Sequence, residues 1–481
     1  MLFTSPVFLL LFLPVMLGVY TLTPTKFRPQ VICLFSIAFY TLAHIGSPAS
    51  ILFLLLCAIF TYCATFAASS VRKPSVMIFI SVVLIGVLAV LRYLGVWADE
   101  EAARRFLPIG ASFYLLASYS CINDVRRGDA PMPRSFIDVL TYITYFPVMI
   151  AGPVIKYKDF ERIIKPENMH FSAAGVGSGV ILFARGFIKR VAIAAIFDEY
   201  YSSVVKSLLN YNDEPLGLDV GIMLSVLLLV SVYFAFSGYS DMGRGISAML
   251  GIPLAPDFGS CILCYTPLVY ARNFFSSLSD WIDDYIGKPL GEFVSIEKSS
   301  GIKKRMLTAG VSVVCSLVLL MWFKIGLSVL PAIAVLLLPA IVNGLFDSDE
   351  WIKKHKWYIP ISWFGTLLFT TLFWMLIRTR DLGSLALLFG NLKFSAPMQS
   401  YMVSQTFFNL EFPLALSLIF LVQLPMLCGV IFKKHQSPFA KLSAVRWTWS
   451  LFILIMFVLC IYYYLPQYPA LATEPFRDII F

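Results

Sequence analysis

Apolar runs close to bilayer-spanning length recur along almost the whole chain. They fall at about 5–22, 30–44, 51–69, 76–97, 108–122, 136–152, 172–198, 216–237, 306–323, 325–345, 359–378, 407–432 and 447–465. A helix needs roughly 20 apolar residues to cross the hydrocarbon core, and in lipid each span must satisfy its own backbone polar groups. The pattern predicts an all-α, polytopic integral membrane protein of about twelve or thirteen transmembrane helices, with re-entrant or interfacial segments between them. Composition points the same way, because 59% of the 481 residues are hydrophobic and only 14% are charged. A transmembrane barrel would instead alternate in segments of about ten residues, a pattern this chain lacks. No fixed-period repeat or soluble domain interrupts the runs, so the chain reads as one membrane domain over residues 1–481.

The formal charge of +9 does not point to nucleic acid, because the basic residues are scattered over short loops and form no stripe with interleaved aromatics. Topology explains them better, with the lipid bilayer as the partner. Lys26 and Arg28 follow the first run, Arg72 and Lys73 the third, and Arg126, Arg127 and Arg134 the fifth. The loop after the second run has no basic residue, and the one after the fourth sets Asp99, Glu100 and Glu101 against Arg104 and Arg105. The positive-inside rule then puts the N-terminus outside and the odd-numbered loops in the cytoplasm. The opening "MLFTSPVFLLLFLPVMLGVY" lacks a basic n-region and an evident cleavage site, so it reads as a retained first helix.

Of nine cysteines, most lie inside apolar runs and read as small buried hydrophobes. Cys261 and Cys264 form one CxxC with no second pair nearby, so no metal site is expected. Residues 153–170, "PVIKYKDFERIIKPENMH", suit either an interfacial helix or a solvated loop. Residues 239–291 hold the densest run of charge, glycine and proline, and half-spanning backbone of this kind is tolerated only where it lines a wet cavity. Within and beside this stretch, "FSGYSDMGRG" places Ser237, Tyr239, Asp241 and Arg244 at the end of an apolar helix. Asp241 and Arg244 stand at i,i+3, where an ion pair explains them as well as chemistry does. In "ARNFFSSLSDWIDDYIGKPLG", Arg272, Phe275, Ser277, Ser279, Trp281 and Tyr285 accompany Asp280 and Asp284, an i,i+4 carboxylate pair on one helix face. Such a pair suits acid/base work, and equally a plain interfacial helix.

The segments "GASFYLLASYSCINDVRRG", "YITYFPVMIAGPVIKYKDFE", "GFIKRVAIAAIF", "YFAFSGYSDMGRGISAMLGIPLAPDF" and "SLSDWIDDYIGKPLG", followed by "LFWMLIRTRDLGSLALLFGNL", carry a family resemblance over nearly the whole chain. Their order and spacing are similar to those of membrane-bound O-acyltransferases, in the alginate O-acetylase-like branch, with the D-alanyl transfer proteins of teichoic acid synthesis more distant. The resemblance implies a ring of helices around a tunnel in a bacterial inner membrane. There a cytoplasmic acyl thioester, acyl-CoA or another, meets an acceptor hydroxyl of an envelope polysaccharide or exported molecule. No bound cofactor is implied beyond that donor.

The same resemblance implies a histidine as general base, and this chain lacks it. Family members read tryptophan-arginine-arginine-tryptophan-histidine where Ala271, Arg272, Asn273, Phe274 and Phe275 stand here, so phenylalanine replaces the histidine. Asp283 replaces a usual arginine and Ala235 a usual aspartate. A later tryptophan-histidine-glycine aligns its histidine with Ser316 or Val329, depending on the anchor, and a second histidine-glycine has become Asn343–Gly344. The four histidines, His44, His170, His355 and His435, end an early helix or sit in polar loops, where solvation explains them. Asp241, Asp280 and Asp284 are then the candidate substitute bases, while Ser316 and Asn343 can orient a hydroxyl but are poor bases. The alternative is a catalytically inactive member acting as scaffold or gate for a separate extracytoplasmic transferase partner.

Overall fold

The computed structural model describes residues 2–70, 83–84, 86–87, 108, 110–150, 152–169, 171–210, 217–259, 261–321, 329–346, 348–378, 383, 386, 390, 411–431 and 443–467. Among these residues every regular element is helical. The run at 76–97, with the loop after it, lies almost entirely outside them, as do His170 and His435. The helices are α1 Leu13–Leu22, α2 Arg28–Ala43, α3 Pro48–Ser70, α4 Ala111–Arg127, α5 Phe136–Thr144, α6 Tyr157–Ile163, α7 Ala173–Ile188, α8 Ala195–Asn210 and α9 Leu218–Met249. They continue with α10 Pro267–Phe274, α11 Ser276–Ile282, α12 Lys288–Phe293, α13 Gly301–Met321, α14 Val329–Phe346, α15 Ser348–Lys354, α16 Ile359–Arg378, α17 Glu411–Ile431 and α18 Ser443–Leu459. Four helices among the described residues are long and apolar enough to cross a membrane: Pro48–Ser70, Leu218–Met249, Lys356–Arg378 and Trp447–Tyr464.

The centre of the fold is the antiparallel contact of α7 with α9, the most extensive helix pairing among the described residues. Glycine makes it possible. A Cβ on Gly186 would stand 2.5 Å from the Gly238 carbonyl oxygen, and one on Gly179 would stand 2.7 Å from the Gly245 carbonyl oxygen. Each helix spaces its two glycines seven residues, about two turns, apart, so two backbone-to-backbone contacts form along one seam. In lipid, where apolar side chains gain little by meeting one another, such close approach is a main source of helix association. The N-terminus is fastened to this pair, because the Tyr20 hydroxyl donates to the Leu250 carbonyl oxygen at 2.6 Å. Phe3, Phe8, Phe39 and Phe146 pack edge and face beside it.

Among the described residues four helices contain a wide, π-helical turn, and three of these share a cause legible in the sequence. The turns at Phe8–Phe12, Asp283–Gly287 and Cys460–Tyr464 each end two residues before a proline, respectively Pro14, Pro289 and Pro466. Proline has no N–H to give and its ring crowds the carbonyl four residues back, and one extra residue in the preceding turn relieves both. The fourth turn, Lys189–Ala194, has no such proline and begins at a lysine paired across the helix seam.

Two sequence expectations divide differently in the structure. Residues 239–249 do not leave the membrane helix: α9 runs on to Met249, so Ser237, Tyr239, Asp241 and Arg244 lie inside a 32-residue helix, not at its end. Their charges are neutralised where they stand, which lets the helix continue. The stretch 153–170 forms the short helix α6, which buries Tyr157 and Phe160 against the bundle, and a further turn at Pro166–Asn168.

The glycine seam gives a direct expectation. In Gly245→Ala the new methyl would meet the Phe183 backbone nitrogen at 2.6 Å. Overpacking of this kind costs about 1–3 kcal/mol. The detergent-solubilised variant should melt measurably below the wild type, whereas Gly18→Ala, which meets nothing within 4 Å, should not.

Candidate functional site

The segment after α9 folds as three short helices because its capping residues dictate it. Thr266 accepts the Val269 N–H at 3.2 Å and Pro267 opens α10. At Phe275 the backbone leaves the helical region, with φ −139° and ψ 75°, and α11 begins with no cap from Phe275 itself. The missing cap comes from Asp257, in the loop after α9, whose Oδ1 accepts the Ser277 N–H at 2.8 Å. Burial pushes the Asp257 carboxyl up to about 6, although the Ser277 hydrogen bonds and nearby Arg244 draw it back. Its Oδ2 has no hydrogen-bond partner among the described residues.

Between these short helices and α13 lies a cavity of about 320 Å³. Its mouth carries three charges: Arg272 of α10, Asp283 of the wide turn, and Lys288 at the start of α12. Its inner wall carries Ser279, Ser312, Cys315 and Ser316. Gly287 keeps the mouth open, since a methyl there would stand 3.3 Å from Asp283 Oδ1 and 3.4 Å from Cys315 Sγ. At the far end Leu319 and Phe369 are shared with a small apolar cavity of about 30 Å³ lined by Phe274 and Phe275.

Of the residues singled out in the sequence, Arg272, Ser279 and Ser316 face this cavity. The others hold the fold around it. Asp241, 5% exposed, receives Lys189 Nζ at 2.7 Å and Arg185 Nη2 at 3.0 Å on Oδ2, and Arg244 Nη1 at 2.9 Å on Oδ1. That carboxylate is saturated with cations, which removes it as a base. Asp284 pairs with Lys156, Lys158 and Lys288; burial alone would raise its pKa, but these ammonium groups hold it well below the ordinary carboxylate range. Asp280 is exposed, and the wide turn after it breaks the i,i+4 face it was expected to share with Asp284. The Tyr285 hydroxyl donates to buried Asp124 at 2.6 Å, and the Lys158 N–H donates to the same carboxylate at 2.8 Å. The Ser277 hydroxyl accepts the Val154 N–H at 2.8 Å. Ser237 Oγ and Trp281 Nε1 are buried with no hydrogen-bond partner among the described residues, and Tyr239 stacks under Arg190.

Of the positions where the resemblance expects histidine, Phe275, Ser316 and Asn343 are placed, while the side chain of Val329 lies outside the described residues. Phe275 is buried in an aromatic cluster, with ring centroids 4.8 Å from Phe258 and 5.3 Å from Phe236. Ser316 is on the cavity wall. Asn343 caps α15, its Oδ1 accepting the Ser348 hydroxyl and the Asp349 N–H at 3.0 Å each, while Gly344 lets α14 press onto Ala309. His44 bonds the Tyr40 carbonyl oxygen and stacks on that ring, and His355 does the same with Trp351. Cys261 donates to the Asn273 carbonyl oxygen, and Cys264 accepts from the Asn273 amide. Sequence reasoning read Cys315 as a small buried hydrophobe and Asp283 only as a substitution, and singled out neither Ser312 nor Lys288 as a site residue. The recurrence of polar residues at 308, 312, 315 and 316, on one face of the apolar part of this helix, was the available signal.

The sequence model of the membrane-bound O-acyltransferase family matches residues 32–330, more than half of the chain. The chain belongs to this family. It is 30% identical over 312 residues to a probable alginate O-acetylase AlgI of Azotobacter vinelandii, covering 60% of each chain. It is 28% identical over 412 residues to its Pseudomonas aeruginosa counterpart, covering 79% of this chain and 73% of that one. A peptidoglycan O-acetyltransferase of Helicobacter pylori is 25% identical over 225 residues, 41% of each chain. The chain thus spans about three fifths of the Azotobacter relative's length.

Two outcomes follow from the buried carboxylates. Asp241→Ala leaves Arg185, Lys189 and Arg244 without their common partner. Breaking a buried pair costs about 3–5 kcal/mol, so this variant should be poorly recovered from membranes, which membrane yield and thermal melting will register. Asp257 has an ordinary pKa of 3.8 when unfolded and about 6 when folded. Between those values the folded protein keeps a proton that the unfolded chain has lost, so stability should fall as pH rises through that window and level off above it. Asp257→Asn retains the Oδ1 acceptor and should flatten that slope when melting is followed from pH 4 to 8.

Proposed function

We propose that this protein transfers an acyl group, most simply acetyl, from a cytoplasmic thioester to a hydroxyl of an envelope polysaccharide or exported molecule, in a bacterial inner membrane with the N-terminus outside. The observation that supports this reading best is the cavity at Asp283, Cys315 and Ser316. It contains one of the positions where the family's histidine is expected. Its volume is at the lower end of the range for small-molecule sites, enough for the reactive end of a thioester. Asp283 is the carboxylate that lines this cavity together with Ser316, so it is the substitute base this reading requires. Asp241 and Asp284 are excluded from that role by the cations bound to them. The names of the relatives, O-acetylases and an O-acetyltransferase of envelope polymers, support the substrate class.

A second reading, a non-catalytic scaffold or gate for an extracytoplasmic transferase, is favoured by one observation: Phe275 fills the expected position of the base with aromatic bulk. Both readings are tested by transfer of labelled acetyl from acetyl-CoA to alginate and peptidoglycan fragments by the purified protein. Under the first, the wild type turns over and Asp283→Asn loses on the order of 10²-fold or more of the rate. Wild-type rates in Asp283→Asn and Ser316→Ala alike would remove the cavity from the reaction. No turnover by the wild type, alone or with co-purified proteins, would favour the scaffold.

A further inference from the structure

The inner wall of the cavity holds a free thiol, Cys315. Cys315 is half-buried and free, on the cavity side of α13, one residue before the position where a histidine is expected. Beside it Ser316, only 8% exposed, lines the same space, and neither its hydroxyl nor that of Ser312 is hydrogen-bonded among the described residues. Hydroxyls inside helices ordinarily bond back to a carbonyl one turn earlier, as Thr308 does to the Lys304 carbonyl oxygen at 3.0 Å on this same helix. Two hydroxyls without that bond, flanking a thiol, leave polar capacity turned toward whatever occupies the cavity. Gly287 adds a second constraint, because its missing side chain is what leaves open the gap between Asp283 Oδ1 and Cys315 Sγ.

We propose that Cys315 is a covalent way-station for the acyl group: the thioester donor acylates its sulfur inside this cavity, and the acceptor hydroxyl then takes the acyl group from it. This rests on reading the cavity as the thioester site. In the first step the Cys315 sulfur attacks the donor carbonyl carbon, the new Sγ–C bond forms and the donor's C–S bond breaks. The thiol proton passes by way of the Asp283 carboxylate to the departing thiolate. One thioester is exchanged for another, with no oxidant, reductant or metal, and a thiol is far more nucleophilic at neutral pH than the hydroxyls beside it. In the second step the acceptor oxygen attacks the same carbon, the C–O bond forms, the C–Sγ bond breaks and the hydroxyl proton returns to sulfur through Asp283. The chain thereby divides one transfer into two smaller barriers. Ser312 and Ser316 donate toward the carbonyl oxygen in both.

The test is mass spectrometry of the purified full-length protein after incubation with acetyl-CoA and no acceptor, a condition in which a covalent intermediate accumulates. The expected result is one acetyl group on the peptide containing Cys315, removed by neutral hydroxylamine and missing in Cys315→Ala that elutes and melts like the wild type. Cys315→Ser, nearly isosteric, should slow labelling by tenfold or more. An unlabelled Cys315, or label that persists on another residue in Cys315→Ala, overturns the way-station. If that same preparation still acetylates a polysaccharide fragment, acyl transfer survives without it; if it does not, both readings fall.

Discussion

Asp241 and the three cations around it are the interaction on which the rest depends. The α7 and α9 helices approach to backbone contact at Gly179, Gly186, Gly238 and Gly245, and the carboxylate stands on the same seam. Such proximity would be prohibitive for an isolated charge, since a bare carboxylate at membrane depth is among the costliest groups to bury. Arg185 from α7, Lys189 at the start of the wide turn after it and Arg244 one turn along α9 turn that cost into a fastening. Arg244 carries the fastening onward, donating to the Leu254 carbonyl oxygen and lying near Asp257, which in turn caps α11 beside the cavity. A chain of polar contacts therefore runs from the helix seam to the wall of the site.

At the site itself, polar groups are divided by function. Those that fix backbone are saturated: Asp124 by Tyr285 and the α6 N-terminus, Asp284 by three lysines, Asn343 by the start of α15. Of those facing the cavity, Ser279 donates to the Ala271 carbonyl oxygen at 3.4 Å, while the Ser312 and Ser316 hydroxyls have no hydrogen bond among the described residues. The wide turn before Pro289 marks the boundary, because it rotates Asp283 and Gly287 toward α13 while Asp284 turns to the lysines. Phe275 and its aromatic neighbours close the far side, so the cavity narrows from a charged mouth to an apolar end.

The sequence made the membrane helices, the family and the Asp241–Arg244 pair readable, because hydropathy and i,i+3 spacing are local properties. It misplaced the limits of α9, since only the partner cations on α7 explain how "SGYSDMGRG" remains helical deep in the fold, and those are more than 50 residues away. Asp257 was passed over because the gap it fills, an uncapped helix after Phe275, is visible only once both elements are folded. The carboxylates at 280 and 284 looked like a pair because a regular helix was assumed across a segment that Pro289 forces into a wider turn. Cys315 resembled every other cysteine in an apolar run until the cavity beside it distinguished it.

The central claim is that the space bounded by Arg272, Asp283, Cys315 and Ser316 receives the thioester end of the donor. Electron cryomicroscopy of the protein with a non-transferable thioether analogue of acetyl-CoA tests it most directly. Density should enter past Lys288 and Arg272, with the acyl end beside Cys315. Density that ends against Phe275 from the opposite side, or beside Asp241 with this cavity empty, would contradict it.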